Sequence, residues 1–400
     1  MNKLSKRIQS LGESETLAMS KRSRQLQAKG YDIINLSIGQ PDFFTPDFIK
    51  EAAKKALDDN ITYYPPVAGF PSLRNAISEK LLRDNQLHYD PSQVVVSTGA
   101  KQAIANVMMS LVNPGDDVLV PVPYWVSYRE IIRLAEGNPV YISTKIENQF
   151  KVTPEELEQN ITDKTKVLIF SSPCNPTGSV YTHSELEAMA KVLEKHPHIY
   201  IISDEIYELI NFTGKHESIA QFAGVKDRVI VINGVSKGFS MTGWRLGYLA
   251  ADPEIACAAE KYQGQITSGA NSVAQMAARA ALEIHPTKVG ETAIMRQAFE
   301  KRRNILIDDL QEIDGIKTYT PQGAFYIFPD VSSYFGKTYQ DKTISNSLEL
   351  ADYLLEEALV AVVPGSAFGD PNCIRISYAT SEKVLKEATK RISEALAKLS

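Results

Sequence analysis

Five short stretches of this chain are apolar at every position rather than at every second one: Val94-Val95-Val96, Val118-Leu119-Val120, Val167-Leu168-Ile169-Phe170, Ile199-Tyr200-Ile201-Ile202 and Val229-Ile230-Val231-Ile232. A strand covered on one face alternates polar and apolar residues, whereas a strand covered on both faces does not. Stripes at helical spacing lie between these runs, for example Ala103, Ile104, Val107, Met108 and Leu111, or Leu186, Met189, Ala190 and Leu193. The alternation predicts an α/β fold with a mostly parallel sheet and helices on both of its faces.

Past His285-Pro286 the rhythm changes. A long charged helical stretch runs around Arg296 to Leu310, two strands are expected at Ala324 to Phe328 and Ile374 to Tyr378, and an amphipathic helix at Glu382 to Leu399. This reads as a smaller α+β domain over 286–400, beside a large domain over 46–285. Residues 1–45 are too few to fold alone and are expected to dock on the small domain. Four hundred residues suit such a division.

Hydrophobic residues at 44 % and charged residues at 23 % exclude disorder, collagen and coiled coil. A net charge of −5 argues against a nucleic-acid groove or an anionic membrane surface as the main partner. Cys174, Cys257 and Cys373 are too few and too scattered for a disulfide framework or a Cys-x-x-Cys site, which suggests a reducing compartment. The six histidines form no His-Glu-x-x-His pattern, and His196 and His198 flank Pro197 in a polar turn, so no metal site is expected. Met1 to Ser14 lacks a signal-peptide apolar stretch and no run of eighteen apolar residues occurs, so a cytoplasmic location is expected.

Ligands of an open parallel sheet bind beyond the carboxyl ends of its strands. There the chain is polar: Gly99-Ala100-Lys101 after the first run, Ser171-Ser172-Pro173-Cys174-Asn175-Pro176-Thr177-Gly178 after the third, Ser203-Asp204-Glu205-Ile206-Tyr207 after the fourth, and Asn233-Gly234-Val235-Ser236-Lys237-Gly238 after the fifth. Singly, Asp204 could cap a helix, Asn175 form a turn, Lys237 sit on the surface and Tyr207 fill core. Together they bring an amide, a carboxylate, a phenol and an amine to one crevice. A lysine whose neighbours lower its proton affinity is a Schiff-base nucleophile, and a carboxylate holds a heteroaromatic nitrogen protonated. A glycine at a helix start, with a hydroxyl and an arginine, cradles phosphate. The set describes a site for pyridoxal 5′-phosphate.

The stretch Ser236-Lys237-Gly238-Phe239-Ser240-Met241-Thr242-Gly243-Trp244-Arg245-Leu246-Gly247-Tyr248 resembles the cofactor-lysine signature of fold-type I, class I aminotransferases. Asn175-Pro176-Thr177-Gly178, Ser203 to Tyr207 and Arg375-Ile376-Ser377-Tyr378-Ala379 support the resemblance, which runs from Gly39-Gln40-Pro41-Asp42 to the C-terminal helix. Ser97-Thr98-Gly99-Ala100-Lys101-Gln102 and Tyr124-Trp125-Val126-Ser127-Tyr128 are most similar to the bacterial aspartate aminotransferase branch. The resemblance implies a large domain with a mostly parallel, seven-stranded-type sheet and a homodimer with shared sites.

It also implies roles. Lys237 would carry the cofactor and move the proton between the substrate α-carbon and the cofactor, Asp204 would pair with the pyridinium nitrogen, and Asn175 and Tyr207 would hydrogen-bond the ring 3′-oxygen. Trp125 would stack on the ring. Phosphate would be held by the Gly99 and Ala100 N–H groups, Ser236, Arg245 and, from the neighbouring subunit, Tyr64. Arg375 would fork onto the substrate α-carboxylate, with Gly39 close by. Two positions depart from better-known branches. Lys101 replaces a small hydroxyl residue on the phosphate, and in this branch is taken to meet the distal carboxylate of an acidic substrate; Gly234 replaces a phosphate-binding serine. Pro173 and Pro176 are candidates for cis peptide bonds. The expected reaction joins aspartate or glutamate with 2-oxoglutarate or oxaloacetate.

Other readings remain. The same branch includes enzymes acting on aromatic substrates or prephenate, and the same fold carries carbon–sulfur lyases, racemases and regulatory domains. The last is disfavoured because no DNA-binding extension precedes Met1 or follows Ser400. Ile199 to Glu205 also looks like the second motif of a nucleotide triphosphatase, but ahead of Gly336-Lys337-Thr338 the required leading glycine is Val331.

Overall fold

In a computed structural model, which describes residues 3–12 and 15–400, seven strands form one sheet: β1 Val94–Ser97, β2 Asp117–Val122, β3 Asn138–Ser143, β4 Thr165–Ser171, β5 Tyr200–Asp204, β6 Val229–Gly234 and β7 Gly247–Ala250. Their order is β1-β7-β6-β5-β4-β2-β3. All neighbours are parallel except around β7, which runs antiparallel to both β1 and β6.

The continuous apolar runs are accounted for residue by residue. Leu168, Phe170, Ile201, Val229 and Val231 pack on one side of the sheet, in a core shared with Leu73, Ile77 and Leu186 from helices Pro71–Asn85 and His183–Glu194. Val167, Ile169, Ile202, Ile230 and Ile232 pack on the other, with Ala103, Ile104 and Val107 of helix Ala100–Leu111. Each such side chain, fully buried, contributes on the order of 1.5–3 kcal/mol. Capping boxes start two of the covering helices: Thr153 with Glu156, and Thr182 with Glu185.

A separate core lies in the C-terminal part, where Val363–Pro364, Ile374–Ser377 and Tyr326–Ile327 form a three-stranded antiparallel sheet. Helices Gly290–Gln311, Ser347–Glu357 and Glu382–Leu396 supply its apolar side chains. Ile34–Asn35 pairs in parallel with Val360–Ala361, and Arg22 of helix Glu15–Ala28 forms ion pairs with Asp352 and Glu356. The N-terminal segment also reaches the large sheet's side of the molecule. Arg7 pairs with Glu136 at 3.1 Å and the Gly12 N–H donates to Glu130 at 3.1 Å.

Two strands of the seven-stranded sheet, β3 and β7, were not anticipated from the sequence, nor were the two-residue strands outside it at Ile34–Asn35, Thr338–Tyr339, Lys342–Thr343, Val360–Ala361 and Val363–Pro364. β3 is an edge strand with only Ile142 buried, and β7 is four residues long and begins with glycine, so neither shows a long apolar run. The peptide bonds before Pro173 and Pro176 are cis, as is that before Pro123. Among the described residues no helix is long and apolar enough to cross a membrane.

Candidate active site

The carboxyl ends of β1, β4, β5 and β6 converge as expected, and the second core closes over them. Gly99, after β1, has φ +84°, a conformation only glycine adopts without strain, and starts helix Ala100–Leu111 without a side-chain cap. The first N–H groups of a helix have no acceptor within it, so Ala100 and Lys101 present donors at this end. The Arg245 guanidinium crowds the same spot: a Cβ on Gly99 would stand 2.5 Å from its Nη2. Arg245 is itself left-handed at φ +54° and donates to the Thr242 carbonyl at 2.8 Å. A cation at the positive end of a helix dipole is unfavourable until an anion sits between them.

Gly234 is explained by sterics. A Cβ there would lie 2.8 Å from Gly247 Cα and 2.9 Å from the Leu246 carbonyl, so the serine of other branches has no room. Ser236 follows, buried, with its carbonyl accepting from the Met241 N–H at 3.0 Å.

Lys237 is half-buried and its Nζ donates to the Gly39 carbonyl at 2.6 Å. Burial, together with the charges of Arg375 and Arg245, lowers its pKa to about 7, against a smaller opposing pull from Asp204. Asp204, at the end of β5, is 4 % exposed, and burial lifts its carboxyl to about 6. Hydrogen bonds from the Tyr128 hydroxyl at 2.7 Å and the Ile206 N–H at 3.3 Å hold it down. At neutral pH the pair is therefore a carboxylate and a partly neutral amine.

Arg375 is 2 % exposed, lies between the rings of Tyr326 and Phe368, and donates to the Asn175 amide oxygen at 3.0 Å and the Ser37 carbonyl at 2.6 Å. Its Nε has no partner. A buried donor left unmade costs free energy until an acceptor arrives. Gly39 is confined by its surroundings, since a Cβ would stand 2.5 Å from the Tyr326 hydroxyl. Tyr207 is buried and its hydroxyl is 2.8 Å from that of Tyr326. Trp125 meets Tyr128 edge-on at 5.5 Å, and the Lys101 ammonium lies 5.0 Å from the Trp125 ring. Burial and Arg245 lower the Lys101 pKa. Tyr64 stands apart: it is 93 % exposed, close to Tyr63 at 83 %.

Sequence reasoning did not assign parts to Tyr128, Ser37 or Tyr326. Tyr326 sits in the expected strand at Ala324 to Phe328, next to Phe325 and two residues from Phe328, and nothing local distinguishes it from core. A second charged cluster was also missed. Glu205, Glu208 and His216 bring ligand atoms within 4.8 Å of one another, but the buried Lys80 ammonium is ion-paired with Glu208 and supplies the positive charge there.

The family described as aminotransferase class I and II matches residues 31–392. A probable aspartate/prephenate aminotransferase of Rickettsia bellii is 46 % identical across the whole of both chains. A bifunctional aspartate aminotransferase and glutamate/aspartate-prephenate aminotransferase of Petunia hybrida is 46 % identical over 98 % of this chain and 82 % of its own. Among solved structures, an aspartate aminotransferase of Rhizobium meliloti superposes with a TM-score of 0.96 at 40 % identity, covering both chains completely. That of Thermus thermophilus with maleate gives 0.93 at 38 % identity, over 99 % of this chain and all of the other. The chain belongs to the class I and II aminotransferase family.

Proposed function

We propose that this aminotransferase uses pyridoxal 5′-phosphate to move an amino group between aspartate or glutamate and 2-oxoglutarate or oxaloacetate. The observation that carries the reading is the Lys237 amine, brought to about pKa 7 and tethered by the Gly39 carbonyl beside an ionised, buried Asp204. The residues present fit the cofactor: Gly99 leaves space that a Cβ would close, and the Arg245 guanidinium faces a helix N-terminus that calls for a dianion.

When bound, the cofactor supplies an electron-withdrawing ring conjugated to the substrate α-carbon. Asp204 holds a proton on the ring nitrogen. Asn175 has its amide oxygen engaged by Arg375 and so offers its Nδ2, with the Tyr207 hydroxyl, to the ring 3′-oxygen. Trp125 would cover the ring, while Gly99, Ala100, Ser236 and Arg245 would hold the phosphate. Lys237, as a neutral amine, would take a proton from the substrate α-carbon and deliver it to the cofactor, the shift that amino transfer requires. The Arg375 fork binds the α-carboxylate, its unpartnered Nε providing a further donor. Lys101 meets the distal carboxylate.

The exposure of large aromatic side chains at Tyr63, Tyr64 and Phe44, the last 92 % exposed, supports a homodimer in which Tyr64 reaches a neighbour's phosphate. Free Cys174, Cys257 and Cys373 favour a reducing, cytoplasmic location. The C-terminal core, distinct from those on the two faces of the large sheet, supports a division into a segment over 1–45, a large domain over 46–285 and a small domain over 286–400.

Borohydride reduction should label Lys237, and L-aspartate supplied alone should release no more than one oxaloacetate per site until a 2-oxo acid is added. An unlabelled Lys237 would sink the reading, and steady release of pyruvate and ammonia from an amino acid with a β-carbon–sulfur bond, with no 2-oxo acid present, would move it to a carbon–sulfur lyase. The relatives' names favour one second reading, prephenate as amino acceptor with aspartate or glutamate as donor. Turnover of prephenate at a rate comparable to 2-oxoglutarate would establish it.

A further inference from the structure

The roles above leave Tyr326 without one, yet its hydroxyl lies among the groups that have them. Tyr326 begins the strand Tyr326–Ile327 and pairs with Ser377 of Ile374–Ser377. Residues two apart on a strand share a face. Tyr326 is thus the diagonal neighbour of Arg375, whose guanidinium lies 4.6 Å from its ring centroid. Its oxygen is 2.8 Å from that of Tyr207 and rests against Gly39, the residue whose carbonyl holds Lys237. The side chain is fully buried.

Resting on the cofactor reading above, we propose that Tyr326 is a positioning residue that donates its hydroxyl proton to Tyr207 and carries the charge state of Arg375 to the nitrogen of Lys237. Two phenols share one hydrogen bond in either direction, and only with Tyr326 as donor is the Tyr207 proton free to point onward to the cofactor's ring oxygen. A phenol that accepts a hydrogen bond becomes a better donor itself. A cation over the Tyr326 face makes its O–H a stronger donor. When a substrate carboxylate neutralises Arg375 that pull weakens, Tyr207 donates less strongly, and the proton affinity at the Lys237 nitrogen rises. Binding of the carboxylate is thereby felt where the proton is transferred.

Tyr326→Phe keeps the ring against Arg375 and deletes only the donor. In the holoenzyme, the pH midpoint of the cofactor's visible absorbance should rise by roughly half a unit to one unit, the worth of one hydrogen bond. The further rise produced by saturating succinate, a dicarboxylate without an amino group to transfer, should shrink. Turnover of aspartate should fall more than KM changes, while the thermal midpoint of unfolding stays with the parent, as packing by the ring alone requires. In a Tyr207→Phe background, Tyr326→Phe should move the absorbance midpoint no further. The parent's midpoint and succinate increment retained in Tyr326→Phe, or a full additional shift in the double variant, would overturn the proposal. A visible band that does not titrate would also overturn the proposal, whereas a parent protein with no visible band would overturn the cofactor reading itself.

Discussion

Asp204 and Glu205 are adjacent in sequence and opposite in circumstance. Strand alternation sends Asp204 to the side of Ile202 and Glu205 to the side of Ser203 and Ile201. Asp204 has one side-chain partner, Tyr128, and its pKa is raised to about 6 by burial. Glu205 accepts from Ser203 at 3.0 Å, Ser218 at 2.5 Å and His216 at 2.9 Å. Glu208 beside it is held below the usual carboxylate range despite burial, by Lys80 and His216. The His216 imidazole is pulled down by burial but pushed above its ordinary value overall by Glu205 and Glu208. One carboxylate accepts from a single side chain and the Ile206 N–H; the other accepts from three side chains beside compensating cations. An unsatisfied buried charge marks function, and a satisfied one marks structure.

The contrast fails first if Lys237→Ala retains turnover. Its loss should cost about 10⁴-fold or more in the rate of oxaloacetate formation. Asp204→Asn should cost about 10²- to 10⁴-fold in kcat with little loss of stability, because the change removes a poorly compensated buried charge. Glu205→Gln should show the reverse profile. Urea unfolding should report a loss of about 3 kcal/mol, since the buried cluster of Lys80, Glu208 and His216 loses one of its two carboxylates, while kcat per folded site changes only a few-fold. Equal catalytic losses at both positions would erase the distinction.

Lys101→Ala should cost about ten- to a hundredfold in kcat/KM for aspartate and far less for a neutral amino acid; equal losses would refute a role in substrate choice. The smallest effect is in pH. Capture of cofactor by the apoenzyme needs the neutral amine, so its rate should climb as pH rises through about 7, where an ordinary lysine would remain protonated. Arg375→Gln removes a cation and should move that climb to higher pH. The same shift has a sign in stability: between about 7 and the ordinary lysine value of 10.5 the unfolded chain binds the extra proton, so Lys237 makes the apoenzyme more stable as pH rises. Asp204 acts oppositely between 3.8 and about 6, where the folded state holds the extra proton.

Much of this was legible because parallel strands announce themselves twice, by continuous apolar runs and by polar residues at their ends. The site lysine, carboxylate, amide and phenol all lie at such ends, and each is reached by reading one or a few residues past a run. What stayed hidden depends on pairing across distance. Tyr128 hydrogen-bonds Asp204 from 76 residues away, Arg375 meets Asn175 across 200, and Glu205 takes His216 and Ser218 from the loop after β5. Lys80 did leave a trace, since it occupies a buried position in the stripe Leu73, Ala76, Ile77 and Leu81, where a lone lysine asks for a buried acid. The edge strand β3 left none, because half-exposed residues carry no continuous run.

The corner where β6, β7 and helix Ala100–Leu111 meet is backbone against backbone. A side chain at Gly234 would strike Gly247, and one at Gly247 would come within 2.7 Å of the Gly99 carbonyl carbon. An anchor made of main chain offers nothing for mutation to tune. Saturation mutagenesis should find this corner nearly blank, and any drift in what the enzyme accepts has to enter through side chains beside it, at Lys101 and around Arg375.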